Sequence, residues 1–433
     1  MNAFAKEFAT IQDNLANANT PGYADQNQTL IADSYGGVTA GVVLSTRSDY
    51  LEQSVRAQTT LLGAAEQQST DLAPLQSLFD LSSTSGVSGS LNSFFNSFSS
   101  LSVSPNDAAA RQNVITQAQA LATSFNQAAI GLHSASSDVQ VEASNSISTI
   151  NRIAADLTAI NQHYSASQAG PPNPGLDAQA TADLENLSEV ANFTVLHTDG
   201  QINVYLGGQT PLVLGGKQFQ VSADFSTGQT AIKDSLGNDI TSQIAGGQLG
   251  AQIQENNVTL PGYLNSLNNL AQTFADTVNN GLSQGVDKNG NTPVTNLFSY
   301  NTAADAAYTL SVTPGITSDQ IAAALPSAPG GNGNALALAQ LATASNANGF
   351  TFTQSFGNLG QQVGSDVSNA KRNTSEQQNL VTQARAQRAA VSGVSLDTEA
   401  AKLLQFQQSY QAIGKMVTVL NSLTTAVLQM VGA

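Results

Sequence analysis

The most constraining feature of this sequence is an apolar repeat near its C-terminal end. Between Leu403 and Val431, apolar residues recur at alternating steps of three and four over about four heptads, with Thr424 as the one polar position. We call this repeat the C-terminal seam, and it consists of Leu403, Phe406, Tyr410, Ile413, Val417, Leu420, Val427 and Val431. Such regular spacing predicts a long amphipathic helix that packs along other helices as in a coiled coil.

A second and shorter apolar stripe lies near the N-terminal end. Phe4, Phe8, Ile11 and Leu15 follow one another at helical spacing, and we call them the N-terminal stripe. A core helix of an ordinary bundle is the alternative interpretation of the seam. However, a helix of about 54 Å, at about 1.5 Å per residue, is longer than a small domain is wide. We therefore expect the terminal helices to pair and the rest of the seam to contact another molecule.

Both ends of the chain are expected to fold only on assembly. Burial of each seam residue contributes about 1.5 to 3 kcal/mol. Ordering every residue of the terminal segments costs about 1 to 2 kcal/mol, and most of those residues bury nothing in the monomer. The total cost of ordering the terminal segments exceeds the total gain from burying the seam residues. We therefore predict terminal segments that are largely disordered before assembly.

Three further stretches show helical periodicity. Residues 107–164 predict two long helices or one interrupted helix, with a start signal in the residues from Pro105 to Asp107. Residues 260–278 carry apolar side chains at alternating steps of four and three. The chain is helical again from about Phe356 to its end, with one break at Ser392-Gly393.

Strand patterns occupy the middle of the chain. The segment 170–175 is rich in proline and glycine and ends the preceding helix. A strand-like alternation then predicts short strands at Ile202, Val204 and Leu206, followed by Leu212, Leu214, Phe219 and Val221. Hairpin turns are predicted at Asp199-Gly200, Gly207-Gly208, Gly215-Gly216 and Gly237-Asn238. The segment that follows Tyr23, up to about Thr46, is interpreted as extended chain or loop.

This order of elements predicts a multidomain α+β fold. Long coiled-coil-like helices form the two ends, and a helical body domain carries an inserted mainly-β domain. The predicted units are an N-terminal assembly helix and extended segment (1–60), a helical body in three parts (61–168, 251–284 and 346–392), an inserted mainly-β domain (169–250), a small turn-rich insertion joined to that β domain (285–345) and a C-terminal assembly helix (393–433).

Composition excludes several classes of partner. The chain has 433 residues and a net charge of −16, with only 14 Lys and Arg, so we expect no nucleic-acid binding. It has no cysteine and therefore no disulfide. We expect neither membrane insertion nor Sec-dependent export, because the sequence has no run of about 18 apolar residues and no basic-and-apolar leader.

The sequence contains no recognisable catalytic or metal-binding constellation. His133, His163 and His197 are isolated from carboxylates at metal-ligand spacing. The segment that begins at Asp287 resembles the start of a calcium loop, but Thr292 and Phe298 stand where glycine and the bidentate glutamate are needed. We therefore predict no catalytic residue, no metal site and no cofactor, and we expect that the protein is not an enzyme.

Motifs at both ends resemble one protein superfamily. Residues 14–23 read NLANANTPGY and resemble the N-terminal signature of bacterial flagellar rod, hook and hook-associated proteins. The matching motif residues are Asn14, Asn17, Asn19, Thr20, Pro21, Gly22 and Tyr23. Residues 396–412 are more similar to the C-terminus of the hook-associated protein 1 family than to that of hook proteins. The similarity extends over most of the chain and is weak between about 165 and 250.

The resemblance implies a structural subunit that joins the flagellar hook to the filament. It implies self-association in a ring, contacts with the hook protein and the next hook-associated protein, and a flagellar export chaperone on the C-terminal helix. It also implies export by the flagellar type III route to an extracellular position at the hook-filament junction. In this family Gly22 and Tyr23 would set the turn that leaves the N-terminal helix.

Three alternatives remain open on sequence grounds. The chain could be another flagellar axial protein, such as a hook or distal rod protein. It could be a surface adhesin that uses the Asn-, Gly- and Thr-rich β insertion. A hydrolase is the third alternative, although no spaced pair of acidic residues is apparent.

Overall fold

The computed structural model describes residues 2–33, 37–79, 85–166, 173–301 and 305–432. Part of the predicted helix-breaking segment 170–175 lies outside the described residues. The helices are α1 (Asn2–Asn17), α2 (Asp49–Leu72), α3 (Gly86–Val103), α4 (Ala108–Ala166), α5 (Pro174–Val190), α6 (Gly247–Gln254), α7 (Leu260–Ser283), α8 (Ala306–Thr309), α9 (Gly333–Gln340), α10 (Phe352–Ser392) and α11 (Leu396–Val431). The strands are β1 (Gln26–Asp33), β2 (Gly37–Ser45), β3 (Phe193–Thr198), β4 (Gln201–Leu206), β5 (Thr210–Leu214), β6 (Lys217–Gln218), β7 (Ser222–Asp224), β8 (Ala231–Lys233), β9 (Phe298–Ser299) and β10 (Ser311–Val312).

Helix α4 is one continuous helix of 59 residues, where the sequence predicts two helices or an interrupted one. The apolar pattern weakens after Leu132 because the side chains there become small and polar, but no proline or glycine pair breaks the backbone. Val139 and Ala143 are buried and continue the inward face. The helix therefore passes through the whole body of the molecule.

The body has two apolar cores, and α4 contributes to both. The first core is aromatic and joins α3, the first part of α4, α7 and the start of α10. In it, Phe274 lies 5.3 Å from the ring centroids of both Phe94 and Phe298. The second core joins the last part of α4 to α5, α6 and the small sheets.

The inserted sheet follows the predicted hairpins, but Phe219 and Val221, for which the sequence predicts a strand, lie between β6 and β7. Strands β3 to β6 form an antiparallel sheet in sequential order, and β7 pairs with β8. Asp199 and Gly200 form the first turn with φ values of 52° and 76°. A register shift at Val204 and Tyr205 turns Leu212 and Val213 into the core and leaves Leu214 only half-buried, so the simple alternation fails at that strand.

The segment after Tyr23, predicted as extended chain or loop, contains the strands β1 and β2, which pair with each other antiparallel. Two other features differ from the sequence-based expectations. Helix α2 runs across the boundary predicted at residue 60. The turn-rich segment 285–345 packs on the helical body and not on the β domain, because its apolar residues complete the first core. Those residues are Leu297, Phe298, Leu310, Ile321 and Leu338.

The predicted fold class is confirmed. Long helices form the ends and the body, and a small β unit is inserted between α5 and α6. The other domain boundaries given above remain predictions. Within the described parts of the chain, no helix is both long enough and apolar enough to cross a membrane.

Candidate assembly interface

Helix α1, the hairpin β1–β2 and the start of α11 pack together, and we call them the terminal unit. Phe8 of α1 stacks on Phe406 of α11 with 4.9 Å between ring centroids, and Phe4 lies 6.3 Å from the same ring. Ile11 is buried, while Leu15 is half-buried. The N-terminal stripe and the first part of the C-terminal seam are therefore brought together by the fold.

The remainder of the C-terminal seam is not packed against α1. Helix α1 has 16 residues whereas α11 has 36. Leu403, Phe406 and Ile413 are half-buried, but the rest of the seam is exposed. The exposed seam residues are Tyr410, Val417, Leu420, Val427 and Val431, with exposed fractions from 44% to 82%.

Additional exposed apolar residues flank the seam and were not predicted as interface residues. They are Leu404, Met416, Leu423, Leu428 and Met430. A strict three-and-four spacing omits them because they fall beside the two seam positions of each heptad. A wider stripe, as found on helices that contact more than one neighbour, would have included them. The apolar face of α11 is therefore broader than a two-stranded seam needs.

Asn14 organises the turn that follows α1. Its side chain is fully buried, and its amide group donates to Asp25 Oδ1 at 2.7 Å and to the Gln26 carbonyl at 2.9 Å. Its carbonyl oxygen accepts from the Tyr23 hydroxyl at 2.9 Å and from the Gln26 N–H at 3.0 Å. One motif residue thus joins α1 to the start of the hairpin.

The other motif residues form the turn itself. Asn17 Oδ1 accepts from the Thr20 hydroxyl at 3.1 Å, and Asn19, Thr20 and Pro21 are exposed. Gly22 has a φ of 75°, and a Cβ added there would lie 2.3 Å from the carbonyl oxygen of Ala178 in α5. The turn therefore requires glycine both for its backbone conformation and for its contact with α5.

The break between α10 and α11 is attached to the same N-terminal turn. The Asp25 N–H donates to the Ser392 carbonyl at 2.9 Å, and the Ser392 hydroxyl donates to the Thr46 carbonyl at 3.1 Å. Ser395 caps α11 by accepting from the Thr398 N–H at 3.3 Å. The start of the hairpin therefore fixes the place at which the C-terminal helix changes direction.

Buried polar groups surround this junction. Glu399 is buried and pairs with Lys402 at 2.6 Å. Burial, followed by the charges of Asp13, Asp25 and Glu399, raises the pKa of the Tyr23 phenol to about 12. Tyr23 is therefore a neutral hydrogen-bond donor to Asn14 over the whole physiological range.

A network of ion pairs connects the terminal unit to the body. Arg47 contacts Glu52 and Asp177, each at 2.8 Å, and also donates to the Gly22 carbonyl at 2.7 Å. Arg388 of α10 contacts Glu52 at 3.1 Å and Glu185 of α5 at 2.7 Å. No sequence motif predicts this network, because the paired residues lie up to 336 positions apart. Because Glu52 pairs with both Arg47 and Arg388, these ion pairs connect the segment that follows β2 to α5 and α10.

His133 and the calcium-like segment at Asp287, considered above as candidate metal ligands, have structural roles in the fold. His133 pairs with Asp305 at 2.5 Å, a contact made across the fold and not at a local ligand spacing. Asp287 accepts from the N–H groups of Asn289 and Asn291 at 2.8 and 2.9 Å, which makes the calcium-like segment a tight turn. Among the described residues, no group of His, Cys, Asp and Glu is arranged to hold a metal ion.

Known proteins resemble the chain at its start, in its body and over nearly its full length. The family model for the helical domain of flagellar hook-associated protein FlgK matches residues 72–298. The model for flagella basal body rod proteins matches residues 1–23, which contain the N-terminal stripe and the Asn14 turn.

Individual relatives agree with these family models. Flagellar hook-associated protein 1 of Bacillus subtilis is 26% identical over 486 aligned residues, which cover 98% of this chain and 95% of that protein. The Salmonella typhimurium protein of the same name is 28% identical over 316 residues, covering 67% of this chain and 56% of that protein. The flagellar hook junction protein FlgK from Burkholderia pseudomallei has a similar fold, with a TM-score of 0.69 at 17% identity, covering 79% of this chain and 100% of that one.

The resemblance predicted from the motifs is confirmed. Because the helical-domain model matches more than half of its residues, this chain belongs to the flagellar hook-associated protein FlgK family and is a structural protein of the bacterial flagellum.

Proposed function

We propose that this protein is the adaptor subunit of the hook-filament junction and that it assembles through its terminal unit. The observation that carries the proposal is the exposed part of the C-terminal seam. From Val417 to Val431 the apolar face of α11 extends beyond the residues that contact α1. An apolar face of this length on an otherwise polar helix marks a surface that is covered in the assembled state.

The family supports the partners that we propose for the assembled protein. Copies of the chain associate in a ring, with hook subunits on one side and the next hook-associated protein on the other. Seam residues pack axially and laterally against neighbouring terminal helices, while the β insertion faces outward. The role is mechanical and needs no catalytic group.

Export precedes assembly in this proposal. The protein leaves the cell through the flagellar type III route, and a dedicated chaperone holds the C-terminal helix beforehand. A chaperone is needed because the exposed face of α11 would otherwise associate non-specifically in the cytoplasm. The final location is extracellular, at the junction.

Deletion of the gene in its own bacterium tests the proposal. Cells that lack the protein should still build hooks but should release flagellin into the medium as monomer, and the full-length chain should restore filaments. A chain truncated after Ile413 keeps the contacts of Phe406 with α1 but lacks the exposed seam residues from Val417 to Val431, and it should not restore filaments. Normal filaments on the deletion strain would show that the protein is not the junction adaptor.

A further inference from the structure

Three carboxyl groups from three different elements converge in the middle of the body. Asp71 lies in the last turn of α2, Glu142 lies on α4, and Glu255 begins the π-helical turn Glu255–Thr259 between α6 and α7. The Gln67 amide group donates to both carboxylate oxygens of Asp71 at 2.9 Å and also to Glu142. We call Asp71, Glu142 and Glu255 the carboxyl cluster.

The cluster lies where the two apolar cores meet. On α4 the first core ends at Val139 and the second begins at Ala143, on either side of Glu142. The π-helical turn occupies the same level between Leu249 of the second core and Leu260 of the first. The buried side chains of Ser146 on α4 and Gln252 on α6 lie nearby and form a hydrogen bond of 3.0 Å.

Glu255 is the exception among these groups. It is only 1% exposed, and neither of its carboxylate oxygens accepts a hydrogen bond from any residue that the structure describes. The Asp71 carboxyl lies within hydrogen-bonding reach of it. Two ionised carboxylates cannot bond to each other, but a proton on one supplies the missing donor. A proton on Glu255 or on a neighbouring carboxyl therefore relieves the cost of burying this group unpaired.

The charges around the carboxyl cluster also favour its protonated state. Burial and the nearby carboxylates, Asp71 above all, raise the pKa of Glu255, and burial with Asp71 and Asp138 raises that of Glu142. Other titratable groups on the neighbouring helices are Glu66 of α2, Glu189 of α5, and Tyr263 of α7 with its hydrogen-bond partner Asp366 of α10. Arg152 lines the adjoining cavity of about 420 Å³ but pairs with Asp156 at 3.1 Å.

We propose that the carboxyl cluster is a proton-dependent joint between the two cores: it holds α6 and α7 against α2 and α4 while protonated, and it loosens when it loses its protons. The π-helical turn is the element that moves, since its backbone already departs from α-helical hydrogen bonding. The adjoining cavity gives the side of the cluster at Glu142 a route to solvent.

The sign of the pH effect follows from protonation in the folded state. A carboxyl whose pKa is raised by folding stabilises the protein fully below its unfolded value, 4.5 for Glu255, and this contribution is lost as the pH rises through the folded value. Between the unfolded value of 4.5 and the folded value of about 10, the unfolding equilibrium constant should therefore increase by up to about tenfold per pH unit for each proton released on unfolding, and measurements from about pH 7.5 to 9 lie inside this range.

Glu255→Gln on the full chain tests the proposal, with Glu376→Gln, an exposed residue of α10, as the matched control. Urea unfolding of the wild type and of Glu376→Gln should show the pH dependence, and Glu255→Gln should largely abolish it. An unchanged slope in Glu255→Gln would overturn the proposal.

A second measurement applies even if Glu255→Gln does not fold. Infrared spectroscopy of the wild type at pH 8 should show the C=O band of a buried protonated carboxylic acid. Amide exchange in residues 247–283, corrected for its intrinsic pH dependence, should quicken between pH 7.5 and 9. Absence of the band, or equal protection at both pH values, would contradict the proposal.

Discussion

At the scale of single residues, Asn14 does most to define the terminal unit. Both functional groups of its side chain amide are used, and each of its partners comes from the turn or from the start of the hairpin. The sequence motif identifies Asn14 as important, but the hydrogen bonds to Tyr23 and Gln26 could not be deduced from it. They depend on the path of the turn, which only the folded chain defines.

Replacing Asn14 by alanine should weaken the terminal unit by roughly 2 to 3 kcal/mol, because the Gln26 N–H and the Tyr23 hydroxyl lose their acceptor. Hydrogen exchange of residues 3–17 and 26–33 measures this directly and should quicken by more than tenfold. Asn17→Ala is the control, since the Asn17 side-chain amide forms only exposed hydrogen bonds. Equal effects of the two substitutions would show that Asn14 has no special role.

Gly22 allows a second test at this scale. Gly22→Ala must accept both a positive φ and a clash with the Ala178 carbonyl oxygen at 2.3 Å. Gly290→Ala has a similar φ of 83° but nothing within 4 Å of the added Cβ, so it measures the backbone cost alone, about 1 to 2 kcal/mol. Thermal unfolding should show a clearly larger loss of stability for Gly22→Ala. Similar losses would mean that the contact between the turn and α5 can adjust.

At the scale of elements, α10 and α11 differ although they are consecutive long helices. α10 packs along α2 and is anchored by Arg388, whereas α11 contacts α1 only near its start. The sequence predicts both helices and the break between them, because proline-free apolar stripes and a Ser-Gly break are local signals. It does not predict the hairpin β1–β2, whose residues lack a clear alternation, nor the continuity of α4, whose buried residues near Val139 are small.

The difference between these helices predicts their dynamics before assembly. In dilute monomer, amides of residues 414–431 should exchange almost without protection, because an isolated helical segment of this length is marginal in water. Amides of α10 between 356 and 384 should be protected, since buried residues of this stretch pack in the body. Mass-spectrometric hydrogen exchange gives both values in one experiment. Strong protection of residues 414–431 would contradict the expectation that this part of the C-terminal segment folds on assembly.

At the scale of the whole molecule, the protein consists of a two-core body and a terminal unit joined by shared ion pairs. The family and fold class could be predicted from the sequence, because both rest on motifs and periodicities within short segments. The ion-pair network and the carboxyl cluster could not, because Arg388 and Glu52, or Glu255 and Asp71, come together only through the packing of distant helices. The placement of segment 285–345 on the helical body depends on long-range packing in the same way.

The central claim is that the exposed seam of α11 joins this subunit to its neighbours. Leu420 lies on the seam and Ser422 lies on the opposite face of α11, and both side chains are exposed in the monomer. Aspartate at either position should therefore leave the monomer equally stable. In a strain that lacks the gene, Ser422→Asp should restore filaments on the hooks, whereas Leu420→Asp, exported in equal amount, should leave flagellin in the medium as monomer. Filaments that grow equally well with both variants would contradict the claim.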